Sequence, residues 1–323
     1  MQRRHVLPLL AATLAAPCGA FAQAYPVRPV RLIVPFPPGG VYDSIGRPWA
    51  DSMKRILGTV EIENLGGGGG SVGAAAAAHA RPDGYTLLLG GTLTHVNEML
   101  LKAKPLYDAA KDLEPVAGVA VSYLAIAVHP TLPVRTLPEL VDYAKNRPEL
   151  AYAHVGIGSS NHLTGELFKS MATLPRLVDV PYRGAGPALA DMVSGQVLVG
   201  IAGVTGNVLE FHRTGKLRVL AVTSSQRLAA APDIPTVAEM GYAGLAAPGA
   251  LGILAPAGTP KDIIDRVASA TRSAVAEPAF QKRLVDGGFE PMLDSGPDEF
   301  RKVLAAAVTL WSPVVKRLAL KID

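Results

Sequence analysis

Cysteine is almost missing: Cys18 is the only one among 323 residues. A disulfide framework is therefore excluded, as is any cysteine-built metal site. The chain has no long Lys/Arg run, so nucleic acid is not an expected partner. After the first two dozen residues, no uninterrupted apolar run reaches the length of a membrane-spanning helix. Neither Ser159 nor Ser160 stands in a G-x-S-x-G nucleophile elbow, and the H-E-x-x-H metal motif is missing. His79, His95, His129, His154, His162 and His212 are scattered singly, and such histidines are expected to be packed or solvated. No metal and no cofactor are expected.

What is present begins with an export signal. Arg3 and Arg4 precede the apolar stretch Val6–Ala16, too short to span a bilayer. Ala20-Phe21-Ala22 and Ala22-Gln23-Ala24 both fit an A-x-A cleavage site. Residues 1–24 read as a cleaved signal peptide, with the paired arginines leaving twin-arginine and general secretion both open. Pro17 and Ala15 argue against lipid attachment at Cys18. Cleavage lowers the formal charge from +4 to +2, through loss of two arginines, and leaves no cysteine. The exported chain is then expected to be soluble in the periplasm and held by its core alone.

Behind the signal, short β-branched runs alternate with helical segments, which predicts an α/β fold built on mostly parallel sheets. Strands are expected at Val30–Val34, Val60–Glu63, Tyr85–Leu89, Val116–Val121 and Leu124–Val128. The alternation then restarts with strands at Ala151–Val155, Leu177–Val180, Val197–Ile201, Leu217–Val222 and Gly249–Leu254. Helices are expected over Val41–Leu57, around Ala74–Ala80, near Leu93–Leu101 and, from the Thr136/Glu139 capping box, up to Asn146. Thr259 is expected to cap a helix with Pro260 at its first position. The pattern predicts two lobes, 25–122 with 253–323 and 123–252, the helical tail packing back on the first.

Two loops follow strands at the carboxyl edge, where open α/β sheets bind ligands. Pro35–Gly40, "PFPPGG", carries no charged side chain, and a β-carbon at Gly40 is expected to crowd any backbone approach. The second loop, "GIGSSNHLTGELF" from Gly156, ends a strand and opens an amphipathic helix near Asn161. Free N–H groups at a helix start make an anion site, and Ser159, Ser160 and Asn161 add donors. The alternative is that Ser160 or Asn161 only caps the helix and the first loop only turns. Arg183, in "VPYRGAG", is either a further anion contact or a rim residue. Gly68, Gly70 and Gly73 satisfy G-x-G-x-x-G, but the next strand ends without the carboxylate that a dinucleotide ribose needs. A close-packed strand–helix turn explains them better. Ser159 or Ser160 with His162 forms a conceivable nucleophile and base, giving an exported serine hydrolase as the enzymatic alternative.

Taken together, "YPVRPVRLIVPFPPGG" with Asp43, "RPDGYTLLLG", "SSNHLTGELF", "VPYRGAGPALADMVSGQV", "GKLRVLAVTS", "PDIPTVAEMG" and "LAPAGTP" resemble the solute receptors of tripartite tricarboxylate transporters, the Bug family. The resemblance spans the mature chain. It implies a non-enzymatic, two-lobed periplasmic binding protein with the ligand cleft between the lobes, taking a small organic acid and delivering it to membrane permease subunits. Sensing through a membrane histidine kinase uses the same cleft and stays open. Carried onto this sequence, the ligand residues are Phe36, Pro38, Gly39, Gly40, Val41, Tyr42 and Asp43 in the first loop, and Gly158, Ser159, Ser160, Asn161 and His162 in the second. Thr92, Ala202 and Gly203 complete the expected set. The family pattern has Gly-Thr where this chain has Val41-Tyr42, and Asp-Asn where it has Ala202-Gly203. It also has Arg-Pro at Leu65-Gly66, and Asp at Leu198. These departures point to a dicarboxylate with an apolar or aromatic body, such as terephthalate, with Tyr42 stacking on it at the cleft mouth.

Overall fold

The computed structural model describes residues 25–147, 149–293 and 296–321; the expected signal peptide lies outside them. In the first lobe β1 (Val30–Val34), α1 (Val41–Leu57), β2 (Val60–Asn64), α2 (Ser71–Ala78), β3 (Thr86–Gly91) and α3 (Thr92–Val96) follow one another. β4 (Leu113–Ser122) then hands the chain to β5 (Leu124–Val128) through Tyr123 alone. The second lobe continues with α4 (Leu137–Lys145), β6 (Ala151–His154), α5 (Ser160–Ala172), β7 (Val178–Pro181) and α6 (Ala185–Ser194). It closes with β8 (Val199–Gly203), α7 (Gly206–Arg213) and β9 (Arg218–Val222). The chain returns through β10 (Gly249–Pro256) to α8 (Lys261–Ala276), α9 (Pro278–Asp286), β11 (Glu290–Pro291) and α10 (Pro297–Leu318).

One sheet has the order β11-β4-β10-β3-β1-β2 and the other β7-β6-β8-β5-β9. The alternation read from the sequence is there, but the sheets are mixed rather than mostly parallel. β1 pairs in parallel with β2 and β3, whereas β10 runs antiparallel to β3 and β4. In the second sheet β6 is parallel to β7 and β8, and β5 is antiparallel to β8 and β9. The antiparallel pairs arise where the chain crosses between lobes, because a crossing strand enters without a helical crossover to reverse it. Gly249–Gly252, expected in the second lobe, pair within the first sheet opposite β4. The two crossings therefore lie side by side, with Ser122 Oγ donating to Gly249 O at 3.1 Å.

Local signals hold with two corrections. Thr136 Oγ1 accepts the Glu139 N–H, while Glu139 reaches one residue further back, to the Arg135 N–H at 2.7 Å. Pro260 is the N-cap of α8 rather than its first residue, since its ψ of 138° is extended. Thr259 instead donates to Pro256 O at 2.7 Å. The tail also departs from expectation: Phe300 and Leu304 pack on the first sheet, but Trp311 and Val315 join the core of the second lobe. α10 thus straddles both lobes.

His95, on α3, is 5 % exposed and its ring faces Gly91 O at 3.2 Å. Burial outweighs that bond and lowers its pKa to about 4. The folded state binds the neutral ring, so this stability is complete above about pH 6.5 and drains away as pH falls toward 4. Urea unfolding at pH 7 and 4.5 should show a loss on the order of 2–3 kcal/mol from this group. A His95→Gln variant should show a flatter acid limb; an unchanged limb would remove His95 as its cause.

Candidate functional site

Between the lobes lies a cavity of about 100 Å³, and among the described residues no Asp, Glu, Lys, Arg or His lines it. Its apolar wall includes Leu163, Leu189, Met192 and, from α10, Trp311. Polarity comes from hydroxyls and one amide: Tyr42, Thr92, Ser122, Ser160, Asn161, Thr164 and Thr205. Thr164 Oγ1 is buried with no protein partner, a donor left for whatever fills the space.

Helix starts converge on this cavity. Gly40 with Val41 opens α1, Ser160 opens α5, Ala185 opens α6, and Thr205 is the N-cap of α7; all of them line it. α1 and α6 begin at Gly40 and Gly184 with no side chain capping them. Each helix start leaves N–H groups without an intrahelical partner and carries the positive end of the helix dipole. An anion placed here meets partial positive charge from both lobes without facing a single side-chain cation.

Nine of the expected site residues line the cavity: Phe36, Gly40, Val41, Tyr42 and Thr92 from the first lobe, and Ser160, Asn161, Ala202 and Gly203 from the second. The other six serve the loops. Pro38 and Gly39 are exposed, and Gly39 holds a left-handed φ of +87° that shapes the turn. Asp43 Oδ2 accepts from the Gly39 N–H at 3.0 Å and from Arg47 at 2.9 Å, while Oδ1 takes Asn64 at 3.2 Å. Desolvation alone would raise this carboxyl; the bonds from Arg47, Gly39 and Asn64 outweigh it and hold the pKa below its ordinary value. Ser159 caps α5, its Oγ accepting the His162 N–H at 3.2 Å. The helix therefore starts at Ser160, not Asn161. His162 Nδ1 takes the Gly158 N–H at 3.3 Å. Ser159 thus addresses the backbone of His162 rather than its ring. Tyr42 is not at the cleft mouth: it is buried, its ring 4.7 Å from that of Phe36, forming the cavity wall.

The lobes touch through residues without side chains. A Cβ at Gly184 would stand 2.9 Å from Pro37 Cγ, and one at Gly69 would stand 2.8 Å from Ile157 O. A Cβ at Gly203 would collide with Val41 Cγ2. At Gly40, in contrast, it would meet Ala185 at an ordinary 3.6 Å, so the crowding expected there belongs to Gly203 instead. Gly73 supports the close-packed turn, since its Cβ would lie 2.5 Å from Leu65 O. Arg183 is exposed, and the neighbouring Ala185 reaches the cavity in its place. The α6 start, Thr164, Thr205 and Trp311 were missed by sequence reasoning; only the "GAG" that opens α6 offered a signal.

Asn161 ties the two halves of the second-lobe wall, its Nδ2 donating to Ile201 O at 2.8 Å. Asn161→Ala should weaken organic-acid binding and lower stability, each within about 1–3 kcal/mol, because a buried carbonyl loses its donor. Calorimetry and urea unfolding check this; wild-type values in both would show that the bond is immaterial.

A family model described as "Tripartite tricarboxylate transporter family receptor" matches residues 45–320. The chain is 35% identical to Protein BugT of Bordetella pertussis (strain Tohama I) over 321 residues, covering 98% of this chain and 97% of BugT. The structure of periplasmic binding protein BugD superposes with a TM-score of 0.88 at 32% identity, covering 93% of this chain and 100% of BugD. R. palustris Rpa4515, solved with adipate, gives 0.86 at 31% identity, covering 92% and 99%. With the two-lobed fold and the charge-free cleft between its lobes, these likenesses place the chain in the receptor family of the tripartite tricarboxylate transporters.

Proposed function

We propose that this chain is a periplasmic receptor that closes its lobes on an organic acid and delivers it to the permease subunits of a tripartite tricarboxylate-type transporter. The observation that carries the reading is the cavity itself, ringed by helix starts from both lobes and free of charged side chains. Carboxylates are the anions that such backbone donors suit, and an apolar body suits Leu163, Leu189 and Met192 between them. Val41 occupies the space where a side chain at position 203 would reach, so the ligand receives no polar group from either. An ammonium group would find no carboxylate here, and burying it unpaired is costly. The ligand is therefore a dicarboxylate with an uncharged, apolar body.

Volume bears on every candidate within that class. A cavity of about 100 Å³ is smaller than the apolar cavity of about 150 Å³ known to admit benzene. Adipate and terephthalate both exceed benzene in size, so either requires the lobes to stand wider apart than they do here. Thermal-shift screening against adipate, terephthalate, malate, citrate and glutamate tests the class, the apolar diacids giving the largest stabilisation. Tightest binding of citrate or glutamate would retire it. Uptake of the stabilising acid in a strain deleted for this receptor tests delivery, and undiminished uptake would reassign the protein to sensing.

A further inference from the structure

Strand pairing brings together three side chains that the sequence keeps apart. His154 ends β6, Asp179 lies on the adjacent parallel strand β7, and His162 faces them from the first turn of α5. Their ligand-type atoms all lie within 4.8 Å of one another. His154 is fully buried and its ring packs 4.8 Å from that of His162. This cluster is outside the cavity wall and plays no part in the anion reading above.

The hydrogen bonding of His154 admits two neutral tautomers: with its proton on Nε2 the ring donates to Asp179 and accepts the Gly156 N–H at 3.3 Å. Nδ1 is 3.0 Å from Gly156 O, and Nε2 is 3.3 Å from Asp179 Oδ2. With its proton on Nδ1 toward the carbonyl, the other tautomer turns its Nε2 lone pair toward the carboxylate oxygen, an arrangement that a metal ion between them would stabilise. A carbonyl that fixes the tautomer of a ligating histidine is the usual second partner at metal sites. The 3.3 Å separation also matches the edge of a tetrahedron around zinc, about 3.4 Å for bonds near 2.1 Å. The Gly158 contact to His162 Nδ1 is long at 3.3 Å and fixes that ring only weakly. Burial, the largest influence on both rings, lowers the pKa values of His154 and His162 and keeps their lone pairs available near neutral pH. Glu166 and Lys169 are already engaged with each other at 2.8 Å, and Tyr152 donates to Glu166 at 2.9 Å. Asp179 is half-buried, which gives a metal ion an entry path and room for a water ligand.

We propose that His154, His162 and Asp179 form a site for a divalent transition metal of the zinc type, fastening β7 and the Gly156–Ser159 turn to the start of α5. Two imidazoles and one carboxylate suit zinc rather than magnesium or calcium. The purified full chain, freed of metal with EDTA, is titrated with Zn²⁺ and separately with Co²⁺, whose visible absorption reports tetrahedral nitrogen and oxygen ligation. One equivalent of Zn²⁺ should bind at micromolar concentration or tighter, Mg²⁺ should not compete, and melting should shift upward. Asp179→Asn and His162→Gln should each weaken Zn²⁺ binding at least tenfold, with circular dichroism confirming that both variants fold. Absence of stoichiometric binding would overturn the site, as would equal binding in both variants. An acid-linked melting shift that needs no metal and disappears in Asp179→Asn would equally overturn it, by showing that a proton bridges the pair.

Discussion

Replacing Gly203 with leucine should cost ten- to a hundredfold in affinity for the organic acid while leaving the unliganded protein as stable as before. The side chain would enter the cleft at the end of β8, where Val41 Cγ2 already fills the space when the lobes are closed. Overpacking of this kind costs about 1–3 kcal/mol. The strain arises only on closure, so the open state does not feel it. Shortening the opposing residue should relieve it, and Gly203→Leu combined with Val41→Gly should recover most of the lost affinity. Calorimetric titration of the single and double variants measures this. An affinity loss that the second substitution does not relieve would show that Val41 and Gly203 do not meet in the bound state.

Trp49→Ala should be the most damaging single change to the fold, at about 3–5 kcal/mol. Trp49 is fully buried on the inner face of α1, and its Nε1 donates to Thr271 Oγ1 of α8 at 3.1 Å. Truncation leaves a cavity and strips a buried hydroxyl of its partner. Because α1 presents its first turn to the cleft, losing its anchor should also weaken ligand binding. Urea unfolding gives the stability, and a loss below about 1 kcal/mol would mean that the core collapses around the gap.

The two halves of the site differed in how legible they were. β1 with Pro35–Gly40 and β6 with Gly156–Asn161 could be read because a short extended run, a Gly-containing turn and an amphipathic helix follow one another in a few residues. The α6 start could not, since Gly184 and Ala185 act through bare backbone and only the exposed Arg183 beside them looked chemical. Trp311 lies in a tail whose second half changes lobes, which helical periodicity cannot reveal. The mixed sheets were misread because strand direction at the crossings is set by topology, not by residue type. His154, His162 and Asp179 have no motif spacing; the parallel pairing of β6 with β7 and the turn from β6 into α5 join them. Asp43, read as a ligand contact, proved to hold its own loop through Gly39, Arg47 and Asn64.

Backbone N–H groups at helix starts, rather than side-chain cations, hold the ligand in this account, and adipate against its diamide tests that most directly. The two molecules share length and apolar body; the diamide carries no negative charge and has an NH2 donor in place of one oxygen at each end. Isothermal titration of the purified chain should give saturable binding of adipate and at least a hundredfold weaker binding of adipamide. Equal affinity for the two would contradict the anion-binding role of the converging helix starts.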